Sequence, residues 1–152
     1  MTKNPSRDIL QNFFDEAIEL PHDASLWLLS VWDITQFLDD VADDDEVARD
    51  DLNEVINHIF IHMPGNNFFL QYPSQLLTAV STMICKWQAS DKLERFGSAD
   101  EKTYMWRAGY YDVILTVMIL CHGMEKAICH SADILCLYGE SFESYKKEFE
   151  NA

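Results

Sequence analysis

The chain has 152 residues, with 26 acidic and 11 basic side chains and a formal charge of −15. A field of that sign repels a phosphate backbone and argues against nucleic-acid binding, and a composition that is 48% hydrophobic excludes a disordered chain. A length of this order favours one domain, residues 1–152, large enough to bury a core.

The longest apolar run, Val113 to Cys121, is too short to span a bilayer. The N-terminal Met1-Thr-Lys-Asn-Pro-Ser-Arg has no apolar segment of signal-peptide type, so a cytoplasmic protein is expected. The four cysteines agree. Cys121, Cys129 and Cys136 share one helical region at spacings too wide to cross-link, and no zinc spacing occurs. They are expected to be buried free thiols.

Apolar residues recurring at three and four positions predict an all-α protein, a compact bundle of roughly five to seven helices. The first runs from Arg7 to Leu20, with Ile9, Leu10, Phe13, Phe14 and Ile18 as its stripe, and Pro21 ends it. The second extends from Asp23 or Ser25 to Ala42. Its apolar residues cover nearly every direction, which predicts a central, buried helix. The third starts in the acidic run, where Asp43 and Glu46 have capping-box spacing. It carries Leu52, Val55, Ile56, Ile59, Phe60 and Met63 inward, ending at Pro64 and Gly65. The fourth spans Ser74 to Phe96 with Leu77, Val80, Ile84 and Trp87 inward and Gly97 as its stop. Ser98 and Glu101 then open a long helical region to Tyr138, kinked or broken at Gly123, and Phe142–Phe149 closes the chain.

Chemistry concentrates near the end of the second helix. Asp39 and Asp43 stand four apart, on one line of the helix surface; Asp33, Asp40 and Asp44 form the next row. Like charges so placed repel each other and oppose the dipole at a helix C-terminus. Hard oxygen donors on a fixed face suit Mg²⁺. Helix capping and solvation account for most of the cluster, but not for Asp33, which lies inside an apolar helix and needs a partner, a metal or a proton.

The segment Phe37-Leu38-Asp39-Asp40-Val41-Ala42-Asp43 resembles the Asp-Asp-x-x-Asp motif of class I terpenoid and isoprenyl diphosphate synthases. The resemblance implies a terpenoid synthase-like fold in which Asp39 and Asp43 ligate Mg²⁺ that holds a diphosphate, with Asp40 in support. The second motif of that family falls on Ala132 to Glu140, where Ala132 and Cys136 replace two ligands and Glu140 alone remains. Arg107 and Lys126 are the cations available to a diphosphate. A second resemblance is to all-α nucleotide pyrophosphohydrolases of the MazG and dimeric dUTPase type. Glu16-Ala17-Ile18-Glu19 matches their first Glu-x-x-Glu, and Ser30 to Asp33 falls at their second pair with Ser30 in place of a ligand.

Other groupings are weaker. Glu54, His58 and His62 form a row opposite the stripe of the third helix, which is a solvated face unless the histidines share a metal. His122, Lys126, Cys129, Asp133 and Glu140 fall roughly on one late face, and Trp106, Tyr110 and Tyr111 near Arg107 are expected either as exposed aromatics of a partner surface or as helix-packing residues. The alternative to a metal enzyme is an interaction module that docks a basic or helical protein, a homodimer included, without a membrane partner.

Overall fold

The computed structural model describes residues 5–150; Met1 to Asn4, part of the N-terminal reading, lie outside the described residues. The described chain is all-α, with no strand. No helix in it is long and apolar enough to cross a membrane. It divides into two compact units, Arg7–Pro73 and the chain from Ser74 onward with Pro5 and Ser6.

In the first unit, α1 (Arg7–Asn12) passes into a π-helical turn, Phe13–Ala17, closed by the Ile18 amide on the Phe13 carbonyl at 3.1 Å. The helix stops short of the expected Leu20, and Glu19 takes a left-handed φ of 46°. Helix α2 (His22–Ala42) begins directly after Pro21. The Ser25 hydroxyl donates to Asp15 Oδ1 at 2.9 Å and ties the two together. Ala24 through Trp32 are buried along α2 except Leu26, but Leu38 and Val41 are half exposed. Only the first half of this helix is the central element that its composition predicts.

The end of α2 explains the acidic run. Asp43 is the C-cap, Asp44 turns left-handed at φ 59°, its amide reaches the Val41 carbonyl (3.2 Å), and the Asp45 amide reaches Asp40 (2.9 Å). These two bonds are a Schellman motif, which consumes carbonyls left open at the helix end. The expected Asp43–Glu46 capping box is therefore absent. Helix α3 (Arg49–Asn57) starts later, with Ala48 at its N-cap and no side-chain cap. A second π turn, His58–His62, follows, closed by the Met63 amide on the His58 carbonyl at 2.9 Å. Here the inward face differs from the expected stripe: Val55 and His58 are buried, whereas Ile56, Ile59 and Phe60 are exposed, Phe60 by 74%. Short α4 (Asn67–Gln71) is capped by Asn66, whose side chain accepts from Phe69 and donates to the Asp23 carbonyl at the start of α2.

In the second unit, α5 (Pro73–Arg95) ends as the sequence predicts, in another Schellman turn with Gly97 at φ 75°. Its buried face is Leu76, Ala79, Met83 and Ser90, while Leu77 and Ile84, expected inward, are exposed. The stripe is displaced by about one residue because α5 carries apolar side chains on more than one face. The expected long helical region divides into α6 (Glu101–Trp106), α7 (Tyr110–His122) and α8 (Met124–Cys136). Gly123, at φ 87°, makes the predicted break. The additional break precedes Gly109, where a Cβ would meet the Met83 backbone at 3.0 Å. Asp100, not Ser98, caps α6, in a reciprocal box with Thr103. Helix α7 supplies the buried core of Val113, Ile114, Val117 and Met118 and packs on α8; α9 (Phe142–Glu150) packs on α6 through Tyr145.

Candidate metal centre

Asp33 sits one residue past the fully buried part of α2, with its side chain 19% exposed. Glu54 and His58, one turn apart at the junction of α3 and its π turn, face it. One donor atom from each of Asp33, Glu54 and His58 falls within 4.8 Å of the other two, and among the described residues this is the sole such group of three. His58 Nε2 lies 3.3 Å from Asp33 Oδ2 and 3.8 Å from Glu54 Oε1. An ion bonded at about 2.1 Å to each of two ligands at a tetrahedral angle separates them by about 3.4 Å, so these spacings need only small adjustments.

The imidazole is the informative member. Its side chain is 9% exposed, and its Nε2 makes no hydrogen bond despite the nearby Asp33 oxygen. The ring nitrogen is thus not aimed squarely at either carboxylate, as it would be in a simple ion pair. On its other edge, Nδ1 has the Ser30 hydroxyl at 3.2 Å and His62 Nδ1 at 3.4 Å. That edge holds the ring in place, as the outer-shell partner of a metal-bound histidine does. A buried polar atom left unpaired costs roughly 1–3 kcal/mol. Two carboxylates within 5 Å repel by roughly 1–4 kcal/mol between water and a protein-surface dielectric. Arg7 offsets part of this, its Nε lying 3.1 Å from both Asp33 oxygens.

The remaining residues singled out in the sequence are placed elsewhere. Asp39 and Asp40 are half-buried and Asp43 is exposed around the Schellman turn, and they join no group of three donors. Glu140 belongs to the second unit, with Oε2 3.4 Å from the Tyr138 hydroxyl. Arg107 is engaged by Glu94 at 3.2 Å and Glu148 at 3.8 Å and lies over the Tyr145 ring; Lys126 is exposed on α8. Asp133 lies 3.8 Å from His130 Nδ1. Trp106 is half exposed, but Tyr110 and Tyr111 are core residues. The Glu16–Glu19 pair does not ride on one helix, since the helical turn ends at Ala17.

The cysteines are free, as expected, yet Cys85, Cys129 and Cys136 are exposed, Cys85 on α5 away from its Leu76–Met83 face and the other two because α8 turns its Ala127–Ile134 face to the core. Burial pushes the Cys121 thiol up to about 11, which keeps it protonated and unreactive. Burial also raises Tyr104, Tyr111, Tyr138 and Tyr145, with Glu140 adding to the effect at Tyr104 and Tyr138. None of these groups is tuned toward acid–base work near neutrality.

Each half of the centre carried a sequence signal: a carboxylate inside an apolar helix, and an i, i+4 Glu–His pair. What joins them is helix packing, which no local spacing encodes. Comparison of the chain with family models, curated proteins and solved structures finds no match.

Proposed function

We propose that this is a divalent-metal-binding helical protein whose ion is held by Asp33, Glu54 and His58. The observation that carries the reading is His58 Nε2, buried and without a hydrogen bond between two carboxylates. The donor set, one imidazole and two carboxylates, favours Zn²⁺, Mn²⁺, Fe²⁺ or Co²⁺ over the Mg²⁺ that an all-oxygen site would select. Three protein donors leave coordination positions for water or a small ligand. Ser30 and His62 would orient the imidazole, and no step of a reaction is assigned.

The test is thermal unfolding with Zn²⁺, Mn²⁺ and Mg²⁺ added in turn. At an ion concentration near 100 times Kd, linkage stabilises the folded state by about 2.7 kcal/mol, a rise of roughly 5–10 °C for a chain of this size. Asp33→Asn and His58→Gln should each abolish that rise. A melting curve indifferent to every ion would rule the reading out.

A helical docking module is the second reading, favoured by Met124, Ile128 and Leu135 on α8, which are 57%, 67% and 59% exposed and fall roughly along one side of the helix. The partner would be a helix that covers this row, a second copy of the chain included. Ile128→Asp should then lower the sedimenting mass or abolish capture of the partner; an unchanged monomeric profile for both proteins counts against it.

A further inference from the structure

Asp33 already has a cation. The Arg7 guanidinium, on the first residue of α1, sets its Nε 3.1 Å from both Oδ1 and Oδ2, so the arginine engages the whole carboxylate. Oδ2 is also the oxygen facing His58 Nε2 at 3.3 Å. An ion bonded to that oxygen at about 2.0–2.2 Å would stand next to the guanidinium and claim the same lone pairs. Two positive groups cannot share one half-buried carboxylate without repulsion.

Resting on the metal-binding reading above, we infer that Arg7 is a resident competitor for Asp33, and that it sets which ions can load the centre. Ions that depend on carboxylate charge, Mg²⁺ and Ca²⁺, need Asp33 and must displace the arginine to get it. Ions with affinity for imidazole hold His58 as well and lose proportionally less. Arg7 thereby acts as a selectivity residue without being a ligand. The coupling is reciprocal: whatever Arg7 takes from ion affinity, a bound ion takes from the anchoring of α1.

The experiment compares the full chain with Arg7→Gln and Arg7→Lys, titrated calorimetrically with Zn²⁺ and with Mg²⁺. Arg7→Gln should bind Zn²⁺ about tenfold more tightly and show a larger gain for Mg²⁺. Arg7→Lys, which keeps the charge but loses the Nε–H that both oxygens share, should fall between. In the unmodified protein, Zn²⁺ should speed hydrogen exchange of the α1 amides. Equal or weaker Zn²⁺ binding by both variants, with a lowered melting temperature, assigns Arg7 a purely structural role and overturns the inference. Absence of Zn²⁺ binding in all three proteins instead removes the metal-binding reading itself.

Discussion

Helix α2 carries two sets of aspartates with opposite fates. Asp33 lies just past the buried half, where α3 and its π turn bring Glu54 and His58 to it. Asp39 and Asp40 are as partly buried as Asp33 but join no group of three donors, and the exposed Asp43 to Asp45 shape the helix end. In sequence the second set is the more conspicuous, because it is dense and evenly spaced. In the fold a single half-buried carboxylate meets an imidazole and a second acid, while the dense set turns the chain. Proximity to a packed neighbour, not charge density, decides which carboxylates can act together.

Substitutions separate the two regions in decreasing order of effect. Leu28→Ala, at a fully buried position of the first half, should lose roughly 2–5 kcal/mol in denaturant unfolding. Asp33→Asn should weaken ion binding at least a hundredfold, about 2.7 kcal/mol, whereas Asp39→Asn with Asp43→Asn should leave it unchanged; the reverse result would move the centre to the helix end. Asp44→Gly should stabilise the protein by about 0.5–1 kcal/mol, since a non-glycine residue carries the left-handed turn there, and Gly97→Asp at the matching position after α5 should lose a similar amount. Leu38→Ala, half exposed, should change stability by less than about 0.5 kcal/mol.

The same contrast explains what was legible in the sequence. The long helices and the stops at Pro21, Gly97 and Gly123 were, because these residues act locally on backbone geometry; short α4, the late start of α3 and the break before Gly109 were not. Nor were buried faces. On α5 the residues Leu76 and Leu77 are equally apolar, and only packing determines that Leu76 turns inward. In the π turn after α3 the polar His58 is drawn in by Ser30 and Asp33, leaving Ile59 and Phe60 outside, against the periodicity of the segment. Of the centre, Asp33 was marked by its apolar surroundings; its partners, more than twenty residues away, required the arrangement of α2 against α3.

The turn at His58–His62 closes with a bond from Met63 back five residues, one more than the ordinary helical repeat. Such a loop holds a surplus residue, and side chains beyond it are rotated by about 100° from where an uninterrupted helix would put them. Deleting one residue within it would give a smoother cylinder of nearly unchanged composition and would bring His62 to three residues from His58, changing the angle at which their rings meet. Glu54 and His58 stand ahead of the surplus residue and would keep their one-turn spacing, so chain length at this point sets what braces the imidazole rather than which donors face Asp33.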